Sequence, residues 1–133
     1  RESEAKQYVG SMNRGQQAYY LQEQEFASTM TFLELGLNTA TQNYSYVFDG
    51  GGANSTAVTN RAQPAKGSTA PVRAYIGGVS VGTVGAGGEA TTTVVLCEGN
   101  QPPVAGGPDG AQSPTFAATA APACPAATYK TLD

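Results

Sequence analysis

The sequence predicts an α+β domain: an amphipathic N-terminal helix packed on a small antiparallel sheet, followed by a disulfide-closed C-terminal loop. Three observations support this prediction. Apolar residues near the start recur at helical spacing, tyrosine- and valine-rich segments in the middle alternate with polar residues, and two cysteines enclose a tail rich in proline, glycine and alanine. A chain of 133 residues suits one core, so we expect residues 1–133 to form a single domain.

The helix is predicted over residues 3–24, within a first segment that covers residues 1–24. Its apolar positions recur at the spacing of one helix face, which should pack on the sheet. This packing stripe consists of Ala5, Tyr8, Val9, Met12 and Tyr19, and Ala18 and Leu21 extend it. Gly10 and Gly15 each weaken a helix by roughly 1 kcal/mol relative to alanine, so tertiary packing must stabilise it. The pattern begins without an N-cap, as expected for the C-terminal half of a longer helix.

The helix also carries charges that the sequence predicts to be solvated. Glu2 and Glu4 fall on its polar side, together with glutamates nearer its end. Glu2 is spaced one turn from Lys6, so we expect the two to form a weak surface ion pair.

Residues 25–42 are predicted to connect the helix to the sheet. The stretch contains Phe26, Met30, Phe32 and several leucines, which are too many apolar side chains for a solvated loop. We therefore expect a short helical turn at Thr31–Leu35 that lies against the main helix.

Residues 43–97 are predicted to form the sheet. Asn43–Phe48 places aromatic rings on one face by alternation, and Thr91–Cys97 has the clearest strand pattern in the chain. Val72–Val84 alternates loosely, and its glycines indicate a bulge or a hairpin within the segment. The polar stretch Ala53–Ala70 is predicted to be a long loop.

The last segment, residues 98–133, is predicted to be loop that Cys124 holds in place. Cys97 and Cys124 are either two buried free thiols or a disulfide. The disulfide is favoured, because the Pro/Gly/Ala-rich stretch between them orders poorly by itself. Closing that loop stabilises the fold by about 3–4 kcal/mol on the chain-entropy account. A disulfide also implies an oxidising location outside the cytosol.

Composition argues against catalysis, nucleic-acid binding and metal binding. The chain has no histidine, the commonest general base, and no nucleophile motif. Its net charge is −3 and its basic residues are scattered along the sequence. The sequence therefore contains no basic cluster that would bind a run of phosphates or anionic lipid. Asp49, Glu98 and Asp109 lie near glycine-rich turns but lack the alternating spacing of a calcium loop. We predict that the protein is not an enzyme and holds no cofactor or metal.

Residues 1–48 resemble a known family. The stretches Arg1–Lys6, Gly10–Arg14 and Gln16–Tyr20 resemble the junction of type IV pilins, the cyanobacterial group in particular, where the membrane helix continues onto the head. Asn43–Tyr46 resembles that group too, and the cysteine pair resembles the C-terminal disulfide loop of many pilins. The apolar segment that opens a mature pilin, with its methylated phenylalanine, is not part of this sequence.

The resemblance implies a structural filament subunit. Pilins are held in the inner membrane by the apolar segment, and they are then extracted and packed helix to helix into a surface filament. That filament serves motility, adhesion or DNA uptake. The implied partners are therefore other pilin subunits and the pilus assembly machinery. The implied location is the cell surface, after a stay in the inner membrane.

Two other functions remain open at the level of sequence. A pseudopilin of a type II secretion system shares the helix and the sheet, and calcium-dependent folding would favour it. A secreted adhesin or carbohydrate-binding domain is the third candidate. A short basic leader followed by an apolar helix, encoded upstream, would favour the first two, whereas a conventional signal peptide would favour the third.

Overall fold

The computed structural model describes residues 1–28, 39–84, 89–117 and 120–132. Helix α1 spans Glu2–Glu23, and Gln24 ends it in the left-handed conformation with φ 59°. The strands are β1 (Tyr44–Gly50), β2 (Ala57–Pro64), β3 (Tyr75–Val84), β4 (Glu89–Gly99), β5 (Thr115–Ala117), β6 (Ala120–Ala123) and β7 (Tyr129–Leu132). The predicted α+β architecture, a helix packed on an antiparallel sheet, is confirmed.

The main sheet is antiparallel and has five strands in the order β1-β2-β3-β4-β7. Successive side chains on a strand point to opposite faces, and both faces are covered. On one face, α1 packs over Tyr44, Ala62 and Tyr75. On the other face, a second apolar cluster includes Ile76 and Cys97. The β5–β6 hairpin belongs to this outer layer.

The helix lies close to the sheet because β3 has a glycine beneath it. A Cβ atom built on Gly77 would lie 2.5 Å from the Asn13 Oδ1 atom and 2.7 Å from the Val9 Cγ1 atom. Any larger residue would therefore have to displace these two buried side chains or the helix that carries them. Gly78, its neighbour, faces the outer layer, where a Cβ atom would lie 2.9 Å from Pro114.

The predicted packing stripe divides along the helix. Ala5, Val9 and Met12 are fully buried in the core. Tyr8 is half-buried, and its ring lies 4.6 Å from that of Tyr46, centroid to centroid. Tyr19 is half-exposed.

Beyond Met12 the buried face continues through other residues than the sequence pattern indicates. Gln16 is fully buried, and Tyr20 packs with Phe26 and Val58. Leu21, expected to extend the stripe, is 75% exposed, and Ala18 is exposed as well. Gln16 and Tyr20, four and eight residues after Met12, lie on the same helix face as Met12, because a face repeats every 3.6 residues.

Three predictions about the middle and end of the chain are wrong. The expected loop at Ala53–Ala70 contains β2, in which Asn60 and Arg61 are buried and hydrogen-bonded rather than solvated. The expected bulge or hairpin in Val72–Val84 is instead one strand, β3, in unbroken register with β4. The expected loop over residues 98–133 contains β5, β6 and β7. The turn expected at Thr31–Leu35 lies outside the described residues.

A truncation in α1 tests the burial of its sheet-facing side. Met12 has no exposed surface, so Met12→Ala should lower the free energy of unfolding by about 2–5 kcal/mol, as buried large-to-small changes do. The measurement is equilibrium unfolding in urea. Gln7→Ala, at an exposed helix position, is the matched control and should have little effect. Equal small losses for both variants would contradict the packing described here.

Candidate functional site

The disulfide joins the main sheet to the outer layer. Cys97 in β4 is bonded to Cys124, with the Cα atoms 5.8 Å apart. Cys97 is fully buried, in the outer cluster that also contains Val95 and Tyr129. The bond therefore fastens the tail covalently to β4 beside this cluster.

A buried carboxylate lies at the end of the sheet where α1 begins. Glu98 in β4 accepts a hydrogen bond from the Tyr75 hydroxyl at 2.6 Å, and Lys130 and Lys6 approach it at 3.0 and 3.8 Å. Burial of the carboxyl group acts to raise its pKa. The hydrogen bonds from Tyr75 and Lys130, with the charges of both lysines, outweigh burial, so the pKa of Glu98 lies below its ordinary value. Burial, followed by the bond to Glu98, raises the pKa of Tyr75.

The first-turn glutamates of α1 bind to the sheet and the segments beside it. Glu4 Oε2 accepts hydrogen bonds from the Tyr46 hydroxyl at 2.5 Å and from the Thr41 hydroxyl at 2.8 Å. Glu2 accepts a hydrogen bond from the Arg73 backbone N–H at 2.9 Å, and its other oxygen lies 3.5 Å from the guanidinium. The prediction that these carboxylates are solvated is therefore wrong.

The expected Glu2 and Lys6 pair is replaced by these longer-range contacts. Glu2 pairs with Arg73 and Lys6 with Glu98. The fold brings both partners to the start of the helix, which proximity along the chain alone could not reveal.

Two buried amides join the middle of α1 to the sheet. Asn13 donates to the Val95 carbonyl oxygen at 3.1 Å and accepts from the Asn60 amide at 2.7 Å. Gln16 binds both backbone groups of Ala27, accepting from its N–H at 2.8 Å and donating to its carbonyl at 3.4 Å. Sequence reasoning missed these residues because amides on a helix are usually solvated. The one sequence signal for their burial is helical spacing: Asn13 lies four residues after Val9, and Gln16 lies three residues after Asn13.

On the outer face, a buried arginine fastens the segment before β5. The Arg61 side chain is 6% exposed and pairs with Asp49 at 2.5 Å. It also donates to the Ser113 hydroxyl at 2.7 Å. The Asp49 side chain is 77% exposed, so the pair joins a buried guanidinium to a carboxylate at the surface.

The described residues contain no group of three or more acidic, histidine or cysteine side chains placed to hold a metal ion. In residues 1–28, 39–84, 89–117 and 120–132, no helix combines the length and the hydropathy that a membrane crossing requires. The arrangement described above is a set of contacts that hold a helix on a sheet and a tail on the opposite face.

A helix fastened on one face of an antiparallel sheet, with a disulfide that closes the C-terminal region, defines a pilin-like α+β domain. The family model described as type IV pilin-like G and H matches residues 2–125. The chain belongs to this family. Comparisons with curated proteins and with solved structures give no significant match.

The disulfide generates a first prediction for this site. Replacing both cysteines in Cys97→Ala/Cys124→Ala should lower the free energy of unfolding by about 3–4 kcal/mol on the chain-entropy account, measured by urea unfolding. Reduced wild-type protein is the control, and it should unfold near the same urea concentration as the double variant. Two free thiols per chain in denatured, never-reduced protein would contradict the bond.

Glu98 generates a second prediction, on pH dependence. Because its pKa is lower in the folded than in the unfolded state, its ionisation stabilises the fold above the unfolded value of 4.5. That contribution disappears as pH falls through the folded pKa. Wild-type protein should therefore lose stability below about pH 4.5 more steeply than Glu98→Gln, as urea unfolding at several pH values would show. Glu23→Gln, on an exposed residue, is the control. Parallel profiles for wild type and Glu98→Gln would disprove the assignment.

Proposed function

We propose that this chain is the head of a structural subunit of a type IV pilus filament. The observation that carries the proposal is the family match across residues 2–125. A helix fixed to its sheet by buried contacts along its length suits this role, because a filament subunit must transmit force between helix and head without separating them.

The side of α1 that faces away from the sheet is available for contacts with neighbouring subunits. Its exposed residues include Gln7, Arg14 and Ala18. Gly10 has only the Arg14 guanidinium near its position, at 3.5 Å from a built Cβ atom, so another helix can approach closely there. Small residues favour such close helix approach.

The finer assignments rest on the resemblance of residues 1–48. We infer a relation to the cyanobacterial group of pilins. We further propose that the subunit is held in the inner membrane before assembly, that the pilus assembly machinery and other pilin subunits are its partners, and that the finished filament serves motility, adhesion or DNA uptake. The family also fits a secretion pseudopilin, which shares helix and sheet, and the experiment below separates the two.

Immunolabelling of sheared surface filaments tests the filament assignment. Antibodies raised against this head should mark filaments along their length, and deletion of the gene should remove the label and impair surface motility and DNA uptake. The deletion strain serves as the labelling control. Protein found only in the envelope or free in the medium, with unlabelled filaments, would favour a pseudopilin or an adhesin instead.

A further inference from the structure

The fold gathers basic side chains at the end of the sheet over which the described part of α1 begins, and we call this the basal end. Of the seven basic residues, all but Arg14 and Arg61 lie there: Arg1 and Lys66 line one recess, Arg73 pairs with Glu2, and Lys6 and Lys130 pair with Glu98. Val104 adds an exposed aliphatic side chain beside them. It is 60% exposed, and its backbone N–H donates to the carbonyl of Ala70, which lines the same recess.

The opposite end, where α1 ends, is acidic; we call it the distal end and define it by Leu21, Glu23 and Glu25. Glu23 lies in the last turn of α1, which contains no basic residue, although the helix dipole favours cations at that position. Among the described residues, neither glutamate has a basic group within ion-pair distance. Leu21 is 75% exposed. The distal end thus places acidic residues where a helix favours basic ones, and no basic group in the described part of the chain compensates them. Such departures from local preference are common at functional surfaces.

We propose that the basal end of one copy of this chain binds the distal end of the next copy. At the basal end the five basic side chains outnumber the carboxylates of Glu2, Glu4 and Glu98, so its net charge is opposite to that of the distal end. Each end also presents an exposed aliphatic side chain, Val104 on one and Leu21 on the other. Lys66 lacks a carboxylate within ion-pair distance in the described part of the chain, so it can pair with Glu23 or Glu25 of the neighbour. The proposal rests on the filament function proposed above.

The position of the two surfaces determines what kind of assembly they can build. They lie at opposite ends of α1, so the contact is heterologous: each copy uses one surface for the copy before it and the other for the copy after it. Such a contact repeats without closing unless a rotation brings it back on itself. Within the filament proposed above, such a contact would make all subunits point the same way.

A basic end could instead attract the anionic headgroups of a membrane surface. We favour a second copy, because the lipid alternative leaves the acidic distal end unexplained. The two hypotheses, binding to a second copy and binding to lipid, predict different effects of combined charge reversals. Reversing the distal charges can compensate for reversed basal charges only if the two ends bind each other.

Charge reversal in the protein in its own cells tests the contact. Glu23→Lys/Glu25→Lys and, separately, Arg1→Glu/Lys66→Glu should each lose most of the sheared filaments that carry the head, because each change brings like charges together at every contact. The variant with all four substitutions restores opposite charges and should recover filaments. None of the four residues is buried or takes part in an ion pair within the described part of the chain, so folding should survive.

Two controls separate loss of contact from loss of fold. The purified Glu23→Lys/Glu25→Lys head should melt no lower than wild type, since cations suit the last turn of a helix. Thr115→Lys, on the exposed β5 strand at neither end, changes the charge without touching either surface and should leave filaments unchanged.

Each other result overturns the proposal. Labelled filaments whose yield is insensitive to both reversals would exclude this contact while the filament function stands. Basal reversal that is not rescued by distal reversal, with loss of binding to vesicles containing anionic phosphatidylglycerol, would assign the basal end to membrane lipid. Absence of the wild-type head from all filaments would overturn the contact and the proposed function together.

Discussion

The close approach of α1 to the sheet over Gly77 is the constraint on which the other contacts depend. Because β3 presents no side chain there, Val9 and Asn13 reach the strand itself. At that distance the Asn13 amide bridges β2 and β4 through Asn60 and Val95. These polar bonds have a fixed geometry, unlike apolar contacts, so they set the position of the helix along the sheet.

With the helix fixed in this position, its first turn falls over the end of the sheet where the strand termini converge. There Glu4 accepts a hydrogen bond from Tyr46. Glu2 forms an ion pair with Arg73, and Lys6 forms one with Glu98. The same placement explains why Lys6, Arg73 and Lys130 collect at this end, since each is the partner of a buried or half-buried carboxylate there.

The outer layer stabilises the other face of the same strands by different means. It contributes only a small apolar cluster around Ile76 and Tyr129. A covalent bond from Cys97 and a buried guanidinium at Arg61 supplement it. A tail composed of small residues can bury little apolar surface per residue, so specific bonds hold it in place. The helix and the β5–β6 hairpin thus sit on opposite faces of one sheet, whereas β7 extends the sheet and places Leu132 against the core beneath the helix.

The sequence by itself determined the helix, the buried positions Ala5, Val9 and Met12 within it, the antiparallel sheet and the family, because periodicity and local motifs are properties of neighbouring residues. It could not determine that β2 is a strand or that the tail supplies β7. Their polar and small residues carry no alternating pattern, and they become strands only through hydrogen bonds to β1, β3 and β4. Nor could it place Glu98 between two lysines or gather the basic residues at one end. Those arrangements join residues far apart along the chain, and only the tertiary structure brings them together.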